Sequence, residues 1–298
     1  MKLRHVERAY RNAERVRIDD YSRIVIMSDC HRGYGGWADN FAVNQNTCFS
    51  ALRYYNRNRY TYIELGDGDE LWENRSFAKI SATHNHLFWL LTQFYADDRL
   101  YMMNGNHDAV KRRKPHLMDE YYDAAELRSM PLFPHMRVLE GMVLEYAPAT
   151  EVLGEIFLLH GHQADFFNDN LWLLARFLVR YVWTPLQLVG IKDPCSAAVN
   201  TNVKLRVEKR LQHWAMREGK MLIAGHTHRA VFPEPSGERA KYFNDGSCVH
   251  PRCITAIEIA GGLASLVKWS VKTRPDGTLY VGRDVLVGPY RLRDYMRN

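Results

Sequence analysis

Carboxylates, imidazoles and an amide oxygen recur in five short stretches of this 298-residue chain. They read Asp29-Cys30-His31, Gly66-Asp67-Gly68-Asp69-Glu70, Gly105-Asn106-His107-Asp108, His160-Gly161-His162 and Gly225-His226-Thr227-His228. Such a mixed nitrogen and oxygen set suits borderline and hard divalent cations such as manganese, iron or zinc. It is too rich for one ion. Two cations about 3.5–4 Å apart need a shared carboxylate, and such a pair clamps the attacking and leaving oxygens of a phosphoryl centre. The glycines beside these residues let the backbone turn sharply enough to aim the side chains inward.

Positioning them requires elements that end where the motifs begin. Arg23–Met27 reads as a short buried strand stopping at Ser28-Asp29, and Thr61–Leu65 as a second halted by Gly66. Leu100–Met103, Glu155–Leu159 and Met221–Ala224 end at Asn104-Gly105, His160-Gly161 and Gly225-His226. Helical stretches are predicted over Phe41–Tyr55 and Ser76–Tyr95, with His84 and His86 as surface or packing residues of the second. Arg4, Arg8, Arg11 and Arg15 are spaced as one stripe of an opening helix, read as a solvated face. The last stretch is β-rich near Ile254–Ile259, Ala264–Val271 and Leu279–Val281. Apolar strands alternating with helices indicate α/β architecture, whose sites form outside the carboxyl ends of the strands. The polar loops are therefore expected to meet in space.

The ordered set D-x-H, G-D-x-x-E, G-N-H-D, H-G-H and G-H-T-H, running from Asp29 to His228, resembles the signature of calcineurin-like metallophosphoesterases. The resemblance implies an α/β fold, a four-layer αββα sandwich of the metallophosphoesterase type with a helical insertion. Residues 1–298 would form a single domain, with 166–218 as a helical cap inserted in it. It also implies a dinuclear hydrolase that cleaves phosphomonoester, phosphodiester or pyrophosphate bonds by attack of metal-bound hydroxide. One ion would be held by Asp29, His31, Asp67 and His228, the other by Asp67, Asn106, His160 and His226, with Asp67 as the bridge. The cofactors would be two divalent ions (manganese, iron or zinc), with manganese the choice in vitro. His107, paired with Asp108, would act over the phosphate as the catalytic pair. Either imidazole of His160-Gly161-His162 could coordinate; the family pattern favours His160 and leaves His162 to contact substrate. Glu70 reads as a supporting residue behind the ligands, and Cys30 as a small buried side chain.

Substrate choice has three candidate determinants. Lys111-Arg112-Arg113-Lys114 reads either as a phosphate-binding rim or as a solvated loop. Trp72, Asn74 and Arg75 follow the Glu70 loop, and Arg75 is the candidate phosphate contact among them. The segment Phe166 to Glu218 mixes apolar runs with Arg176 and Arg180, then a basic helix with Lys204, Arg206, Lys209 and Arg210. A helical lid at this place resembles bacterial UDP-diacylglucosamine pyrophosphohydrolases, which implies a nucleotide- or lipid-linked phosphoester and peripheral membrane contact through the cap. This chain has His107 where that group characteristically has Arg.

Bulk properties set the outer bounds. The hydrophobic share of 46% supports a packed core and excludes a disordered chain. A net charge of +6 biases the chain toward anionic partners without choosing among them. Five cysteines without a C-x-x-C pair argue against a disulfide framework and a thiolate zinc site. No secretory signal or spanning segment is read, so a cytoplasmic location is expected, with no obligatory protein partner. Nucleic acid is a weaker expectation as partner. The alternatives are a nuclease acting on DNA or RNA and a noncatalytic scaffold of the same fold.

Overall fold

The computed structural model describes residues 3–36, 39–123, 126–165, 201–236 and 241–296. Helix α1 (Arg4–Arg11) precedes β1 (Glu14–Ile18), β2 (Arg23–Met27), α2 (Gln45–Arg57), β3 (Thr61–Glu64), α3 (Phe77–Thr83), α4 (Asn85–Ala96) and β4 (Leu100–Met103). Next come α5 (Val110–Arg113), the hairpin of β5 (Glu120–Asp123) and β6 (Arg128–Pro131), β7 (Val138–Leu139), β8 (Gly141–Tyr146) and β9 (Gly154–Leu159). The remaining elements are α6 (Thr201–Glu218), β10 (Met221–Ala224), β11 (Tyr242–Asn244), β12 (Ile254–Ala260), β13 (Leu263–Thr273), β14 (Leu279–Arg291) and α7 (Leu292–Met296).

Two sheets carry the architecture. One is ordered β1-β8-β9-β10-β11, the other β14-β13-β12-β2-β3-β4-β7. Strands β2, β3 and β4 are parallel, pairing Val25 with Tyr62 and Ile63 with Tyr101, so their carboxyl ends share one edge. Strands β9 and β10 are parallel likewise, with Phe157 opposite Leu222.

Alternation along each strand explains the layers. Ile24 and Ile26 of β2 join Ile156 and Leu158 of β9 in a core between the two sheets. Val25 and Met27 face the other way, against Leu52, Leu91 and Phe94 of the helices. Phe157 and Leu159 turn outward to meet Leu211 and Trp214 of α6 and Val6 of α1. Strands buried on both faces need apolar residues at every position, as β2 has from Ile24 onward. The stack is therefore helix, sheet, sheet, helix: an αββα sandwich.

Several sequence expectations change. Arg15 leaves the predicted arginine stripe, because α1 ends at Arg11 and Arg15 pairs from β1 with Glu145 and Glu155, each at 2.7 Å. The single helix over Ser76–Tyr95 is two, with His84 between them. Of the two readings for His84, packing holds and surface does not: it is wholly buried, its Nε2 lying 2.9 Å from Asp39 Oδ2. Asp39 also accepts the N–H groups of Gly35 and Phe41, so the pair braces the loop beyond His31. The predicted cap falls within the described residues only from Thr201; Arg176, Arg180 and the rest of 166–200 lie outside them. No helix among the described residues is long and apolar enough to cross a membrane.

Candidate metal centre

The loops after β2, β3, β4, β9 and β10 converge. Asp29 Oδ1 lies 3.0 Å from His228 Nε2, 3.6 Å from His31 Nε2 and 3.9 Å from His160 Nε2. Asp67 Oδ2 lies 3.0 Å from His160 Nε2 and 3.9 Å from His31 Nε2. Donor atoms of Asp67, His160 and His226 are mutually within 4.8 Å, as are those of Asp29, His31 and His228. Asp67 thus borders both groups.

The backbone is forced to deliver these side chains. Asp29, His31, Asp67, His226 and His228 all adopt left-handed φ, at 52°, 49°, 51°, 66° and 53°. Non-glycine residues avoid this region, and each such residue costs about 1–3 kcal/mol. Fully burying a large apolar side chain contributes about 1.5–3 kcal/mol, so the core offsets a strain concentrated at these loops. Close packing adds a second constraint: a Cβ on Gly225 would fall 2.7 Å from Asp29 Oδ2.

Neighbouring groups aim the donors. His31 Nδ1 sits 2.9 Å from Glu70 Oε2, and His160 Nδ1 2.9 Å from the Leu65 carbonyl oxygen. A hydrogen bond from Nδ1 in each case turns the ring so that Nε2 faces the cluster. Asp29 Oδ2 accepts the His226 N–H at 2.9 Å and contacts Ser28 Oγ at 2.5 Å. Ser28 Oγ is also 2.8 Å from Asp245 Oδ1. One hydroxyl proton cannot serve two carboxylates. Burial and the charge of Asp29 push Asp245 well above the usual carboxylate range. Asp67 Oδ1 accepts the His107 N–H at 2.8 Å.

Whether the residues fit a cation is decided by what remains unsatisfied. Asp29 Oδ1, His31 Nε2, Asn106 Oδ1 and His160 Nε2 are buried without a hydrogen-bond partner among the described residues. The short contacts of Asp29 Oδ1 and His160 Nε2 are with other candidate ligands, His228 and Asp67, at 3.0 Å each. Buried polar atoms are otherwise almost always paired. Orphaned atoms of ligand type on Asp29, His31, Asn106 and His160, in the loops that also carry Asp67, fit divalent cations.

The electrostatics agree. Burial would raise Asp29, but His228 and His160 hold it well below the ordinary range. Asp67 is likewise held low, against burial, by His160 and His107. Burial would lower His160, yet Asp67 and Asp29 raise it to about 9. His162 moves the opposite way: burial, then the charges of His160 and His226, push it well down. Its ring lies 5.6 Å from that of His160, and its Nδ1 is buried without a partner among the described residues.

His107 departs from its expected pairing. Its Nδ1 lies 2.7 Å from Glu70 Oε2, and Trp72 stacks on its ring at 4.3 Å and 24°. Asp108 points into the interior, where it accepts the N–H groups of Gly68 and Gly105 and pairs with Lys111 at 2.9 Å. Glu70, not Asp108, is the carboxylate that orients His107.

Lys111 is no rim residue. It is buried among Glu64, Asp69 and Asp108, with Arg32 bonding Glu64 and Asp69 beside it. Arg112 pairs with Glu140 at 2.8 Å, while Arg113, Lys114 and Arg75 are exposed. Asn74 donates to the Glu70 carbonyl at 2.9 Å. Cys30 packs beside Cys48 and Cys248, their sulfurs within 4.8 Å of one another.

Sequence reasoning missed Asp165, whose Oδ2 lies 3.4 Å from His226 Nε2, and it missed Ser28 and Asp245. A carboxylate five residues past His160 was the available signal for Asp165.

Comparison with known proteins gives the following. A crystal structure of Chaetomium thermophilum Vps29 is similar at 13% identity, over 90% of this chain and 96% of that one, with a TM-score of 0.37. No curated protein matches. The family model described as calcineurin-like phosphoesterase matches residues 22–230, spanning all five loops, and the chain belongs to that family.

Proposed function

We propose that the protein is a dinuclear metallophosphoesterase whose two cations share Asp67. The buried donor atoms of Asp29, His31, Asn106 and His160, unpartnered among the described residues, carry this reading. Asp29, His31, Asp67 and His228 would hold one ion; Asp67, Asn106, His160 and His226 the other. Bound divalent cations there would supply Lewis-acid polarisation of a phosphoryl group and lower the pKa of water at the site. The nitrogen and oxygen donors suit manganese, iron or zinc.

The chain's own residues supply the rest. Glu70 accepts hydrogen bonds from Nδ1 of His31 and of His107, orienting one ring as a ligand and the other as a donor. Burial opposes the charge on His107, but Glu70 and Asp67 outweigh it and raise its pKa. A charged His107 can donate from Nε2 to a phosphoryl oxygen or protonate the leaving oxygen. Trp72 keeps the ring in place. His162, held neutral, and exposed Arg75 are the proposed substrate contacts. The substrate class is an anionic phosphoester or pyrophosphate, including nucleotide- or lipid-linked forms.

The test is turnover of a chromogenic phosphomonoester and bis-ester by metal-stripped protein with added manganese. Activity that appears with the metal and disappears with chelator supports the proposal. No turnover with manganese, iron or zinc on either ester or on a pyrophosphate would refute it.

A further inference from the structure

Helix α6 buries Val207, Leu211, Trp214 and Ala215 against the outer face of the five-stranded sheet. Two of its polar residues reach the loops carrying candidate ligands. Glu208, only 5% exposed, accepts the Thr227 hydroxyl at 3.0 Å and Arg229 Nε at 2.9 Å. Arg210 Nη1 donates to the Ala164 carbonyl at 2.8 Å, in the turn that follows His160-Gly161.

Thr227 is wholly buried between His226 and His228, both in left-handed conformation. Its hydroxyl gives its proton to Glu208 and accepts from Asn244 Nδ2 at 3.2 Å. The same Asn244 amide donates to the Gly225 carbonyl at 2.7 Å. The apex of the His226–His228 arch is thus gripped from both sides, and one grip comes from α6. A buried carboxylate is costly unless paired, and Arg229 meets that need. Oε1 accepts both Arg229 Nε and the Thr227 hydroxyl while Oε2 faces Arg229 Nη2, so the carboxylate holds the arch without an uncompensated charge.

We propose that Glu208 is a positioning residue of the metal centre, coupling helix α6 to the His226 and His228 ligands through Thr227. This rests on the metal-centre reading above. Two left-handed residues in three gain nothing from their own backbone preference, so an external bond must define the arch. Coupling between sites is reciprocal. If α6 fixes the ligands, loading the ligands must in turn steady α6.

The experiment is calorimetric titration of metal-stripped full-length protein with manganese, with hydrogen exchange of residues 201–218 before and after loading. Wild-type protein should bind manganese and gain protection in α6. Glu208→Ala should weaken binding about tenfold or more, the usual effect of removing a ligand's support, and uncouple the α6 protection. Glu208→Gln keeps an acceptor for Thr227 and should restore affinity. Thr227→Val removes the same bond from the other partner, keeping the test available if Glu208→Ala does not fold. Alanine or valine variants that bind manganese as tightly as wild type overturn the coupling, as does a glutamine variant as weak as the alanine one. Absence of manganese binding by wild type overturns the metal centre itself.

Discussion

A side chain on Gly105 would place its Cβ 2.0 Å from Oδ1 of Asp67. The loop after β4 therefore lies hard against the carboxylate that borders both donor groups, and glycine alone fits. Gly105→Ala should displace Asp67 or its own loop. Overpacking of this kind costs about 1–3 kcal/mol, so thermal unfolding should fall by several degrees. Metal affinity should drop with it, and an unchanged melting point and affinity would mean that the loops are looser than described.

Asp67→Asn keeps the shape and the acceptor for the His107 N–H. It removes the charge that two cations would share. The variant should remain folded by circular dichroism and lose metal-dependent turnover. Retained turnover would remove Asp67 from the bridging role.

Glu70 contacts His31 and His107 at once, at 2.9 and 2.7 Å. Glu70→Gln should lower manganese affinity about 10–100-fold through His31. It should also depress turnover at saturating metal through His107. His107→Ala separates the two effects, because it should reduce turnover about 10²–10⁴-fold while metal binding persists. Equal losses of affinity in both variants would contradict this division.

How far these relationships could be read in advance depended on their range along the chain. The ligand loops were legible because apolar strands such as Arg23–Met27 stop abruptly at Asp, Asn or His, a contrast visible within ten residues. The αββα order followed from the family resemblance, and residue alternation in β2 and β9 gives its physical basis. Strand β1 was missed because Glu14, Arg15 and Arg17 interrupt its apolar positions and find their partners across the fold, Arg15 in Glu145 and Glu155, Glu14 in Arg137, and Arg17 in the carbonyls of Ala149 and Thr150. Lys111 looked like part of a solvated run, since nothing nearby in sequence announces Glu64 and Asp69 as its partners. The grip of Glu208 on Thr227 spans 19 residues and two elements, beyond any local pattern.

Acid should act through the buried network behind the loops. Burial would raise Asp69, but Arg32 and Lys111 lower it from 3.8 to about 2. A depressed carboxylate pKa stabilises the fold above the unfolded value and loses that contribution as pH falls through the folded one. Stability should therefore decline between about pH 4 and pH 2, by on the order of 2 kcal/mol from this group. Chemical denaturation across that window should show a shallower slope in Asp69→Asn, alongside lower stability at neutral pH. An identical slope would place the acid sensitivity elsewhere.

The central claim is that Asp29, Asp67, Asn106 and the four candidate histidine ligands gather two cations around one carboxylate. Anomalous diffraction from manganese-loaded crystals tests it most directly. The account predicts two peaks about 3.5–4 Å apart, both within bonding distance of Asp67. A single peak, or peaks away from Asp67, would contradict it.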